Sequence, residues 1–360
     1  MDTVRGYHDA GIRVAVCPSY MDQNKGIYAN RDAFAAGLPE PLRRDFLGRL
    51  CDRPYSLSDY FGVIDRLLER LAPQLSAGSA ALQLHPNGGQ WCSDEALLGI
   101  RDYALAHGLR IHMHLLETKY QRRYAQDQWG CSFIRHYQEI GFLGPWVSFA
   151  HAVWLSDEDI ALIAQSGAMV VNNPSSNLRL RSGTMPLKKL LRGGAVCALG
   201  MDGCAYDDDQ DYLREMRTAM LNPGETGVNA GISPRDVMKM AVCGGAAVVG
   251  EGLAAGVIRS GAPADFVCFD LKKLGEFYMS PEVTPLELLV QRGTKHMIEA
   301  AYVGGVQVAG RSEPLKRRRE EARARMRAAI EQAEAAHKPT DRSLLQAHIR
   351  AFYETWEERE

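Results

Sequence analysis

The chain has 360 residues, enough for one large α/β domain with an appendage or for two ordinary domains. Its composition, 46% hydrophobic and 24% charged with a formal net charge of −2, is that of a globular protein and supplies no field to recruit nucleic acid or an anionic membrane. No apolar run approaches a bilayer span, and the first residues, Met1-Asp-Thr-Val-Arg-Gly-Tyr-His8, contain no apolar leader core. The eight cysteines are dispersed without a Cys-x-x-Cys pair, which predicts reduced thiols and a cytoplasmic location.

In chain order, the first predicted strand is Gly11–Pro18, β-branched residues punctuated by Gly and Pro. An excursion rich in Arg, Asp and Pro follows, roughly 21–56. Over 57–73, Tyr60, Val63, Ile64, Leu67, Leu68 and Leu71 recur at helical spacing. Ala80–His85 is the next strand, and Ser93 is an N-cap for the helix after it. Strands at 109–115, 146–151, 168–172 and 195–201 continue the alternation, and Ser156-Asp-Glu-Asp159 opens another helix.

Six strand–helix units in series imply parallel strands. Glu117, His151, Asn173 and Asp202 all stand at or just past strand ends. That distribution favours a barrel, whose functional groups lie at the ends of many successive strands, over a doubly wound open sheet. After about 253 the texture changes. A short strand precedes Asp270, Glu299–Ala309 reads as a hairpin with a Gly-Gly turn, and 315–337 is helical by composition. Its basic opening, Lys316 to Arg319, is balanced by later Glu and reads as a solvated face. Leu345, Ile349, Phe352 and Trp356 form one stripe of a last helix that is expected to dock on the body or on a second subunit. The expected divisions are a barrel over 1–253, a β-sandwich half over 254–312 and a helical tail over 313–360.

The polar strand ends suit metal-assisted hydrolysis. A bound Zn²⁺ or Fe²⁺ lowers the pKa of a coordinated water to about 7, given neutral imidazoles, a carboxylate and a proton-moving group nearby. His112 and His114 point the same way from one strand, a weak signal alone. Glu117 lies just past that strand, His151 ends another, and Asp202 ends a third before a Gly, where a buried carboxylate is costly unless paired or metal-bound.

These residues resemble a known family. His114-Leu-Leu-Glu-Thr118, Ala150-His-Ala-Val-Trp154, Asn173-Pro-Ser-Ser-Asn-Leu178 with Ser182-Gly183, and Leu199-Gly-Met-Asp-Gly203 are similar to motifs of the amidohydrolase superfamily. The most similar branch holds guanine, cytosine and S-adenosylhomocysteine deaminases and triazine hydrolases. The resemblance runs from about residue 4 to 310, and Gly261-Ala-Pro-Ala-Asp-Phe-Val267 looks like the C-terminal half of the family's β-sandwich. It implies His114 and Asp202 as metal ligands, Glu117 as proton shuttle, and His151 as the histidine contacting the attacking oxygen and substrate, with His112 structural. It further implies a C–N bond hydrolase, a deaminase of a purine, pterin or pyrimidine-like ring, with triazine-type dechlorination as the alternative. No nucleic-acid or membrane partner is expected; a homodimer or homo-oligomer is compatible with the resemblance.

The sequence departs from the family in three places. No His-x-His strand precedes residue 85, where His8 is the only earlier histidine. Counting back from His114 as strand five makes Gly11–Pro18 strand three, so the expected fold is an incomplete (β/α)8 TIM-type barrel of strands three to eight. Three readings accommodate this: a fragment of a longer product, strands supplied by another polypeptide, or a catalytically incomplete pseudoenzyme. Second, Cys204–Gln210 replaces a Ser-Asn-Asn type stretch; Asp207, Asp208 and Asp209 there either contact a polar substrate or form a solvated acidic loop. Third, Asn172 stands where many relatives have His. Further pocket candidates are His85, Asn87, Gln90 and Trp91 after one strand, and Asp22, Asn24 and Lys25 after another. Asn177 is read as a helix cap.

Overall fold

A computed structural model describes residues 2–50, 56–203, 209–250, 256–276, 278, 280–310, 313–336 and 342–357. Its centre is an all-parallel sheet. The strands are β1 (Val14–Val16), β2 (Ser19–Tyr20), β3 (Ala80–Pro86), β4 (Arg110–Leu115), β5 (Val147–His151), β6 (Met169–Asn172) and β7 (Val196–Leu199). They run in the order β1-β3-β4-β5-β6-β7, with β2 also on β3. The strand expected over 11–18 is shorter, β1 at Val14–Val16 on Ala80–Leu82, and a further strand, β2, follows beyond it on His85–Pro86. Pro18, which has no N–H to give a ladder, lies between them. The six strand positions form a curled part-barrel of the expected type.

Register decides which residues face inward. β4 pairs with β5 so that His112 lies opposite Ser148 and His114 opposite Ala150. β6 and β7 pair Val171 with Ala198. Side chains alternate along a strand, so His85, His112, His114 and Ala150 fall in phase on the interior face, and Asn173, Gly200 and Asp202, just past β6 and β7, line the same cavity. The alternate residues Leu84, Ile111, Met113, Leu115 and Phe149 are buried with Leu97, Ile100 and Ile163 of the covering helices in the main core. At the opposite end of the interior, Met169, Val171 and Ala198 pack on Ala247 and Val248 of a short helix, and Gln83 Nε2 donates to the Val248 carbonyl at 2.6 Å. This apolar plug leaves the polar residues at the C-terminal ends of the strands.

The helix expected over 57–73 spans Leu57–Ser76. Its capping box is Ser56 with Asp59, and it buries Tyr60, Ile64 and Leu71. Ser93 and Ser156 cap their helices as expected, each through its hydroxyl to an N3 amide. The excursion over 21–56, given no elements by periodicity, contains helices Arg31–Ala36 and Leu42–Leu50. Beyond the parallel sheet, β8 (Phe266–Phe269), β9 (Ile298–Val303) and β10 (Val306–Gly310) form a separate antiparallel sheet in the order β10-β9-β8. Two helices, Glu313–Ala336 and Ser343–Glu357, close the chain. No helix among the described residues is long and apolar enough to cross a membrane.

Candidate active site

A cavity of about 330 Å³ opens at the C-terminal strand ends, lined among others by His85, His112, His114, His151, Asn173 and Asp202. Each histidine is oriented through Nδ1. His85 Nδ1 contacts the His112 carbonyl, and His114 Nδ1 lies 2.6 Å from the Asn87 carbonyl. His112 Nδ1 is 2.8 Å from Ser148 Oγ, and His151 Nδ1 is 2.9 Å from Asn177 Oδ1. A proton on Nδ1 donated to such an oxygen leaves Nε2 as a lone-pair donor. Burial, reinforced by the neighbouring histidines, holds His112 at about 3 and His114 at about 4; burial also lowers His85. These rings are neutral at neutral pH, the state a cation needs.

Asp202 Oδ2 accepts from Ser176 Oγ at 2.6 Å, and Oδ1 from the Gly203 amide at 2.7 Å. His151 Nε2 stands 3.9 Å from Asp202 Oδ2. His151 and Asp202 have left-handed backbones, φ 73° and 63°, and Ala152 and Leu116 share that region. Such conformations store roughly 1–3 kcal/mol each and persist where the surroundings enforce them.

Glu117 is buried, 8% exposed, just past β4. Its backbone N–H donates to Gln121 Oε1, and its carboxyl is hydrogen-bonded by the Tyr28 side chain. Burial raises its pKa; His151 and the Tyr28 bond oppose this, while Asp202 adds to it. It is a carboxyl biased toward holding a proton beside a carboxylate and an imidazole.

The remaining candidates divide. Asn173 is buried and makes no side-chain cap bond, and its amide occupies space that only glycine leaves at position 200: a Cβ there would meet Asn173 Oδ1 at 2.4 Å. Trp91 sets its ring edge-on to His114 with centroids 6.3 Å apart, and its indole N–H donates to the Ile27 carbonyl. Gln90 is buried, and its side-chain amide has no partner among the described residues. Asp22 is bound by the amide and hydroxyl of Ser93, and Asn24 Nδ2 donates to the Gln90 carbonyl, so both knit the rim. Asp207 and Asp208 lie outside the described residues; Asp209 pairs with Arg214. Asn177, read as a cap, instead holds His151. His112 faces the same cavity as His114. Sequence reading missed Tyr28, Gln121, Ser148 and Ser176. Only Ser176, inside the Asn173–Leu178 motif, carried a signal.

In kind, the donor set of neutral imidazoles with a fixed carboxylate suits a borderline cation such as Zn²⁺ or Fe²⁺. In number it is short, since no group of three His, Cys, Asp or Glu stands at ligating positions among the described residues.

An α/β part-barrel presents histidines and an aspartate at its strand ends, and comparison with known proteins places it in a family. The amidohydrolase family pattern matches residues 4–312, and the chain belongs to that family. It is 36% identical over 201 residues to a 5'-deoxyadenosine deaminase of Methanosarcina mazei, covering 56% of this chain and 44% of the relative. It is 33% identical over 239 residues to a 5-methylthioadenosine/S-adenosylhomocysteine deaminase of Thermococcus sibiricus, covering 66% and 55%. The chain thus spans about half the length of these curated relatives. Among solved structures, an adenosine deaminase from Xanthomonas campestris with bound zinc superposes at TM-score 0.67 and 23% identity, covering 90% of this chain and 69% of the other. The Escherichia coli guanine deaminase does so at 0.65 and 20%, covering 86% and 66%. These structural likenesses establish the fold.

Proposed function

We propose that the site serves hydrolytic deamination of an adenosine-like purine. The observation that carries this reading is the convergence of His114, His151, Asp202 and Glu117, three of them from different strand ends, at one rim. The family membership and the deaminase relatives support it. His114 and Asp202 would hold a divalent metal, Zn²⁺ or Fe²⁺, which when bound supplies Lewis acidity to activate water.

The chain's own residues do the rest. Asp202, its Oδ2 fixed by Ser176, orients the attacking water and accepts a hydrogen bond from it. His151, locked by Asn177, directs Nε2 at the reacting carbon's new oxygen. Glu117 moves protons: it takes one from water and delivers it to the ring nitrogen, then takes the second from the new hydroxyl and passes it to the exocyclic amine, so that the carbonyl forms as the C–N bond breaks and ammonia leaves. Burial that raises its pKa favours the protonated carboxyl that carries the proton between the two transfers. Asn173 and the unpartnered amide of Gln90 are candidates for the polar edge of the base, since a buried orphan amide is costly until it is satisfied. Asp207 is a further candidate, and Trp91 offers an apolar face.

A second reading, a catalytically incomplete chain, is favoured by the shortage of ligating donors. Metal analysis of the purified chain with ammonia assays on 5'-deoxyadenosine, 5'-methylthioadenosine and guanine separates the two. Bound metal with ammonia release supports deamination. Absence of both across added Zn²⁺ and Fe²⁺ removes it for this chain. We further propose that the protein acts in the cytoplasm on a small heterocyclic molecule, with neither nucleic acid nor membrane as partner, and that it can form a homodimer or homo-oligomer.

A further inference from the structure

The C-terminal helix Ser343–Glu357 lies far in sequence from every residue of the cavity, yet it touches two segments that frame Glu117. Its stripe of Leu345, Ile349, Phe352 and Trp356 packs on a satellite core containing Ile27, Phe34 and Phe46. Phe352 meets Phe34 edge to face at 5.0 Å. Within this helix Tyr353 is buried, and its phenol oxygen accepts the backbone N–H of Tyr28 at 2.8 Å. The Tyr353 ring also lies 4.3 Å from Tyr120, three residues beyond Glu117. Tyr28, in turn, gives its side-chain hydrogen bond to Glu117 and sets its ring 5.4 Å from Trp91, which faces His114.

We propose that Tyr353 is a positioning residue for Glu117, acting through Tyr28, so that docking of the C-terminal helix holds the proton-moving carboxyl in its working place. The physical need is specific. Tyr28 stands in a segment without regular structure between β2 and the helix Arg31–Ala36. A loop carries no ladder to fix its backbone, and a side chain hung from a mobile backbone holds a carboxyl poorly. The Tyr353 phenol anchors that backbone at the residue that matters, and the Tyr120–Tyr353 contact ties the other side of Glu117 to the same helix. A purely structural helix would bury its apolar stripe equally well with Phe at 353; among the described residues the phenol oxygen's hydrogen bond is to Tyr28.

The proposal rests on the deaminase reading for its kinetic consequence but not for its structural one, and the test separates the two. Tyr353→Phe keeps the ring and removes the acceptor; Tyr28→Phe keeps the backbone anchor and removes the bond to Glu117. Hydrogen exchange of the intact chain and ammonia release from 5'-deoxyadenosine are measured for both and for the double variant. Tyr353→Phe is expected to speed exchange in residues 27–30 and 117–121 while residues 343–357 stay protected. It should lower kcat roughly 10- to 100-fold with KM within about twofold. Tyr28→Phe should lower kcat similarly, and the double variant no further, because both act on one carboxyl. Unchanged exchange at 117–121 in Tyr353→Phe overturns the proposal, as does faster exchange with unaltered kcat. If the wild-type chain releases no ammonia, the deaminase reading fails, and exchange at 117–121 alone decides the clamp.

Discussion

The imidazoles of His114 and His151 lie face to face, with centroids 5.5 Å apart and planes 11° apart. The ladder alone does not produce this. His114 pairs with Ala150, while His151 pairs with Leu115, whose side chain belongs to the outer core. In a regular strand His151 would point away from the cavity. The left-handed turn at His151 and Ala152, φ 73° and 47°, breaks the alternation and brings the ring back beside His114. Asn177 then fixes it.

That turn predicts the effect of a β-branched residue at 152. Ala152 is fully buried at positive φ, where branching at Cβ clashes with the backbone. Ala152→Val should cost about 2–3 kcal/mol from strain and overpacking together. Urea melts of the two proteins measure this, and a loss below about 0.5 kcal/mol would show that the turn is not under constraint.

Glu117 makes a pH-dependent prediction. Its folded pKa is raised by burial, so its contribution to stability is full below the unfolded value near 4.5 and is lost as pH rises through the folded one. Gln at 117 cannot ionise. Glu117→Gln should therefore melt at a higher temperature than wild type near neutral pH, with the advantage vanishing below about pH 4. Thermal melts across pH 3–8 check the sign; a constant difference would place the carboxyl in an unshifted environment.

Ser176 gives the Asp202 carboxylate its shortest side-chain hydrogen bond. Its removal leaves Oδ2 free to rotate. Ser176→Ala should weaken Zn²⁺ retention by about 10- to 100-fold, the usual effect of losing a partner that orients a ligand. Dialysis against graded chelator with metal analysis reads this directly, and unchanged retention would remove Asp202 as a ligand.

Much of the scaffold was legible because it is local. Strand ends, N-caps at Ser93 and Ser156, and the helix expected over 57–73 follow from periodicity and capping chemistry within a few residues; the Ser56 cap and the extension to Ser76 came only with the structure. His114, Glu117, His151 and Asp202 were legible as polar endings of apolar runs. The residues that orient them were not. Ser148 faces His112 because of the β4–β5 register, and Ser176 reaches Asp202 from 26 positions away. Tyr28 lies in a segment whose Arg, Asp and Pro content conceals any period, and its link to Tyr353 spans 325 positions. Such pairings are fixed by tertiary packing, on which local patterns are silent.

The central claim is that His114, Glu117, His151 and Asp202 form one hydrolytic site. The most direct measurement is ammonia release from 5'-deoxyadenosine by the metal-supplemented chain, compared with Glu117→Gln at equal metal content. Release by wild type that falls at least about 100-fold in the variant is the predicted result. Equal release from both proteins, or none from wild type, would contradict the account.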